Sequence, residues 1–166
     1  MAENFTFDVS SSCDLQEVDN AVNQANKELS VRYDFRNITF SIEWKRDEDK
    51  ILLACPDRTK LAAIMEVLRT KMAKRGVPLK NLKEGDVVDA GGGTVRQQLD
   101  LQQGIPGDIA KKIVKFLKDQ KLKKVQASIQ SDQVRVASPS KDSLQEVMTL
   151  LRHEDFGIEL NFSNYR

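Results

Sequence analysis

The chain has few of the residues from which most catalytic and metal sites are built. It contains one histidine, His153, and two cysteines, Cys13 and Cys55. No Cys/His cluster has metal-ligand spacing, and there is no HExxH, P-loop or nucleophile elbow. His153 stands beside Glu154 and Asp155 at the end of a helical pattern, where an imidazole serves as a partner of the helix dipole. A non-enzymatic protein without cofactor or metal is therefore expected. The two cysteines lie on separate predicted elements with no CxxC spacing, which in a reducing compartment makes them small apolar side chains rather than a disulfide. Apolar runs are also short. None approaches the roughly 20 residues needed to cross a bilayer, and Met1 to Asn4 offers neither a basic region nor an apolar stretch, so a cytoplasmic location is expected. Neither sign of charge dominates: 26 Lys and Arg face 25 Asp and Glu. The molecule as a whole lacks the field of a histone-type binder, and any affinity for phosphate must come from local patches.

With 40% hydrophobic and 31% charged residues over 166 positions, the composition is that of a globular protein of one domain or two small ones. Phe5, Phe7 and Val9 alternate with polar residues as in a half-buried strand. Leu15, Val18, Val22, Ala25 and Leu29 then recur at helical spacing, with Asp14 and Glu17 placed to cap the first turn reciprocally. Ile38 to Trp44 and Ile51 to Cys55 predict a hairpin. Pro56 and Asp57 open a second helix carrying Leu61, Ile64, Met65, Leu68 and Met72, and a short strand is expected at Asp86 to Ala90. Gly91 to Gly93 is the linker candidate. The pattern then repeats: a strand through Val95, Leu99 and Leu101; a helix with Ile109, Ile113, Phe116 and Leu117; a hairpin of Val125 to Ile129 and Val134 to Val136 turning at Ser131 and Asp132; a helix with Leu144, Val147, Met148 and Leu151; and a strand through Ile158, Leu160 and Phe162. Shifting Cys55 to Arg69 by 83 positions lays it without a gap on Ser138 to Arg152, pairing Pro56 with Pro139, Leu61 with Leu144 and Met65 with Met148. The expectation is an α+β protein with two tandem βαββαβ halves, 1–90 and 94–166. Each half is a four-stranded antiparallel sheet with two helices on one face, the ferredoxin-like or RNP-like arrangement.

Two surfaces can meet phosphate. Between Lys111 and Lys124 there are seven lysines and one acid, Asp119, and Lys111 and Lys115 stripe one helix. The stretch reads either as a solvated helix side or as a phosphate-facing surface. The uncovered sheet face of the second half is expected to show Arg96, Gln98, Asp100, Gln126, Ser128, Gln130, Gln133 and Arg135. Amides and arginines can read base edges and phosphates, yet no aromatic lies there to stack a base, which argues against an RRM-type reader. Arg135 alternates with Val134 and Val136, so its replacement by alanine is expected to weaken binding and leave the fold intact. Arg36 and Arg32 can contact a ligand, although Asp34 is close enough to pair with either.

Several segments resemble the YajQ family: Phe7 Asp8, Asp14 to Val18 with Asn20 Ala21, Tyr33 Asp34 Phe35 Arg36, Gln103 Gly104 Ile105, Lys111 to Lys115, Lys124 to Gln130, Asp132 with Val134 to Val136, and Asn164 Tyr165 Arg166. The resemblance implies tandem ferredoxin-like domains with the first strand of each half exchanged into the other half's sheet. It also implies nucleotide binding, with cyclic di-GMP the best-known ligand class and RNA affinity proposed. The family's Gly-Lys pair and following Arg-Asp-Asp-Leu-Gln are replaced here by Ser138 Pro139 Ser140 Lys141 Asp142 Ser143 Leu144 Gln145, which leaves Lys141 as the loop's cation. Three functions follow as expectations: a receptor for a guanine nucleotide or cyclic dinucleotide, specifically cyclic di-GMP; a non-specific RNA-binding or ribonucleoprotein-associated protein; and an adaptor whose protein partner docks on a sheet edge or groove.

Overall fold

A computed structural model describes residues 4–166, so most of the Met1 to Asn4 segment lies outside the described residues. In chain order the elements are β1 (Phe5–Ser10), α1 (Leu15–Val31), β2 (Ser41–Lys45), β3 (Lys50–Cys55), α2 (Arg58–Lys74) and β4 (Leu82–Ala90). They continue with β5 (Thr94–Leu101), α3 (Gly107–Asp119), β6 (Gln126–Gln130), β7 (Gln133–Ser138), α4 (Lys141–His153) and β8 (Asn161–Ser163). The strands form two four-stranded antiparallel sheets, ordered β6-β7-β1-β8 and β2-β3-β5-β4. Among the described residues no helix is long and apolar enough to cross a membrane.

Two compact units result, and their boundaries differ from the expected halves 1–90 and 94–166. Cys13–Gln102 makes one unit from continuous chain; the residues up to Ser12 join Gln103–Arg166 to make the other. The cause is strand pairing. β1 lies between β7 and β8, and β5 lies between β3 and β4. Gly91–Gly93 is consequently the turn between the paired strands β4 and β5, not a connection between units.

In the continuous unit, Val18, Ala21, Val22, Ala25 and Leu29 of α1 and Leu61, Ile64, Leu68 and Met72 of α2 pack on Ile51, Leu53, Val95 and Leu99 of the sheet. In the split unit, Ile113 and Leu117 of α3 and Leu144, Val147 and Leu151 of α4 cover Phe7, Val9, Val134 and Val136. Burying each of the Val, Leu, Ile, Phe and Met side chains among these contributes about 1.5 to 3 kcal/mol. Cys13 and Cys55 are buried and not joined in a disulfide, and burial pushes both thiols above their ordinary pKa.

The repeat read from the sequence occupies equivalent places. Asp57 caps α2 by accepting from the Lys60 N–H at 2.8 Å, and Ser140 caps α4 by accepting from the Ser143 N–H at 3.2 Å. Pro56 and Pro139 each precede those caps by one residue.

Three local expectations are corrected. Asp14 caps α1 through the Gln16 N–H at 3.0 Å, but Glu17 does not complete a reciprocal box, because its carboxylate receives the Arg75 guanidinium from Nη2 at 3.1 Å. β2 and β8 are shorter than their alternation suggests: Ile38, Phe40 and Leu160 pack on the cores from outside the strands. β4 starts four residues before Asp86 and carries a bulge between Glu84 and Val87, at which Gly85 is indispensable. A Cβ on Gly85 would stand 2.7 Å from the Gln98 carbonyl oxygen.

Candidate functional site

The amide-rich face expected on one sheet is divided between two. Arg96, Gln98 and Asp100 are exposed on β5 of the continuous unit, whereas Gln126, Ser128, Gln130, Gln133 and Arg135 stand on β6 and β7 of the split unit. Period-two alternation gave the correct facing direction within each strand, but the sheet each strand joins is a long-range property.

Arg135 is not a bystander of the fold. It stands opposite Asp8 across the β1–β7 pair, and its Nε donates to Asp8 Oδ1 at 2.9 Å. Asn164 Nδ2 donates to Asp8 Oδ2 at 2.9 Å. Asp8 is only 3% exposed. The Arg135 guanidinium holds its carboxyl below the ordinary carboxylate range; burial opposes this and Asn164 assists it. Removing the Arg135 side chain thus leaves a buried carboxylate short of a donor, which overturns the expectation that this change spares the fold.

Arg135 and Gln126 also line a cavity of about 560 Å³ along β6, together with Lys118 from α3. Arg96 and Gln98 line a different cavity, of about 590 Å³, beside Glu43 and Asp86 on the continuous unit. Lys115 borders a third, of about 360 Å³, which Asp119, Glu154 and Asp155 also line. Lys111 and Gln130 line none of these. Arg36 lies over the Tyr33 ring at 5.8 Å, and Asp34 pairs with Arg32 at 2.8 Å, the local ion pair that the sequence allowed.

A fourth cavity, of about 300 Å³, joins residues that sequence reasoning did not bring together: Phe5, Lys141, Gln145, Met148, Tyr165 and Arg166. β1 supplies Phe5, and the first turns of α4 supply Lys141 and Gln145. Thr6 and Arg166 exchange backbone N–H to oxygen bonds of 3.0 Å each, which fixes the Tyr165–Arg166 segment beside β1. Tyr165 stacks on Phe7 at 6.3 Å, its hydroxyl donates weakly to Met148 Sδ at 3.8 Å, and Lys141 Nζ sits 4.9 Å from the Phe5 ring centre. Lys141 therefore sits beside two aromatic rings, Phe5 and Tyr165, at the positive end of the α4 dipole, and no side-chain carboxylate lines the space. Such a lining suits an anion with a flat ring.

The family model described as nucleotide-binding protein YajQ-like matches residues 5–166. The chain belongs to the YajQ-like family. Relatives include nucleotide-binding proteins of Koribacter versatilis, 49% identical over 100% of this chain and 99% of the relative, and of Desulfitobacterium hafniense, 49% identical over 100% of both. Another, from Chloroherpeton thalassium, is 45% identical over 100% of both chains. In this YajQ-like chain the segment Ser138 to Gln145 delivers Lys141 and Gln145 to the aromatic cavity. The signal for that site was present as Lys141 and as the closing Tyr165 Arg166; what joins them is the placement of β1 between β7 and β8, which local pattern does not encode.

Proposed function

We propose that the chain is a cytoplasmic receptor that binds a guanine nucleotide without chemistry, most specifically cyclic di-GMP, in the cavity of Phe5, Lys141, Tyr165 and Arg166. The supporting observation is the convergence of aromatic rings and Lys141 in a cavity free of side-chain carboxylates. A base stacks on the rings, the Gln145 amide meets its edge, and Lys141 meets phosphate. At about 300 Å³ the cavity is at the lower limit of small-molecule sites, so it encloses one nucleotide unit and leaves the other half of a cyclic dinucleotide on the open side. The pairing of β1 with β7 and β8, and of β5 with β3 and β4, supports a duplicated ferredoxin-like architecture with exchanged first strands.

Calorimetric titration with cyclic di-GMP, GTP and a short single-stranded RNA tests this reading. Lys141→Ala and Tyr165→Ala are each expected to weaken the preferred nucleotide by about tenfold to a hundredfold. Unchanged affinity in both variants overturns the site. The RNA reading has its own observation: all seven lysines from Lys111 to Lys124 are exposed, and none makes an ion pair among the described residues. RNA held by that stretch would lose affinity steeply with added salt, whereas a dinucleotide would show a shallow slope.

A further inference from the structure

We propose that β6 is an interaction surface for a second copy of this chain, the two β6 strands pairing antiparallel about Ser128 to join two sheets into one. The sheets have four edge strands, β6, β8, β2 and β4. Three carry protection against edge-to-edge pairing. β8 is only three residues long; β2 carries Glu43 and Lys45; β4 carries Lys83, Glu84, Asp86 and Asp89 and is bulged. β6, Gln126 to Gln130, has no charge, no proline and no register shift against β7. Its Ile129 is 42% exposed.

The occupant follows from the strand's own order. Antiparallel pairing centred on Ser128 sets Ala127 against Ile129 of the second copy, which covers the exposed isoleucine on the helix side of the sheet. On the other face it sets Gln126 against Gln130 of the second copy, where amides can bond across the seam. The surface is self-complementary, as a two-fold contact requires. Charge selects the direction: Lys121, Lys123 and Lys124 precede β6 and Asp132 follows it. Antiparallel pairing brings each copy's lysines toward the other's Asp132, whereas parallel pairing would crowd the lysines together. This contact gives Gln126 and Gln130 a role other than recognition of a base. Five paired residues bury far less than the roughly 1,600 Å² of a standard interface, so the dimer is expected to form with a dissociation constant of about 10 to 100 µM.

Sedimentation equilibrium of the full chain across that concentration range tests the proposal, with Ser128→Lys as the disrupting variant. Ser128 is exposed, so the monomer keeps its fold, but two lysines meet at the centre of the seam. The parent is expected to dimerise reversibly, and Ser128→Lys to remain monomeric with unchanged thermal unfolding. Ser128→Cys provides a second readout: mild oxidation is expected to yield a dimer joined through position 128, while the parent, whose Cys13 and Cys55 are buried, yields none. A parent that stays monomeric throughout, or a dimer that Ser128→Lys leaves intact, overturns the proposal.

Discussion

Asp8 shows how a single residue ties this fold to pH. Its carboxylate is almost fully removed from water and relies on Arg135 and Asn164. Its pKa is lowered in the folded state, so the stabilisation is complete above the ordinary carboxylate range and is lost as pH falls through the lowered value. Asp8→Asn is therefore expected to be less stable than the parent at neutral pH, with the gap closing in strong acid. Urea unfolding at stepped pH measures this, and a gap that stays constant would rule out the ionised carboxylate as its source. Arg135→Ala is expected to lower the thermal midpoint as well. From sequence, the outward direction of Arg135 was legible and its partner was not, since Asp8 lies 127 positions away on a strand assigned to the other half. The equivalent cross-strand pair in the continuous unit is Leu52 and Gln98, so no ion pair is repeated there.

Between residues and the whole chain, helices were easier to read than strands. The caps Asp57 and Ser140, the buried faces of α2 and α4, and their ungapped match all depend on residues close in sequence. Replacing either cap with alanine is expected to cost about 1 kcal/mol, measured by denaturant unfolding. If one variant were neutral and the other costly, the two helix starts would not be energetically equivalent. Strand ends were less legible because they depend on a neighbour. β4 extends past its visible alternation since β5 runs alongside it, and Gly85 permits the close approach there. The aromatic cavity escaped sequence reasoning for the same reason: Phe5 and Tyr165 meet only through the ladder that binds Arg166 to β1.

Across the whole molecule, one unit is continuous and the other is assembled from chain on both sides of it. A fragment 13–102 keeps a full sheet and core and is expected to unfold cooperatively by itself, followed through its single tryptophan, Trp44. A fragment 103–166 lacks β1, which leaves β7 and β8 without the strand between them and removes Phe7 and Val9 from the core. It is expected to gain circular-dichroism structure only when a peptide spanning 4–12 is added; cooperative folding without that peptide would show that β1 is dispensable. The same arrangement sets an order of events. Cys13 Sγ lies 4.0 Å from the Gln102 carbonyl oxygen, so the continuous unit, once folded, holds its own two ends together. Closing β1 onto β7 then spans a loop shortened by roughly two-thirds, which lowers the entropic barrier by about 1 kcal/mol. Assembly of the split unit is thus gated kinetically by its neighbour: Leu68→Ala, inside the continuous core, is expected to slow the formation of a sheet to which Leu68 contributes nothing.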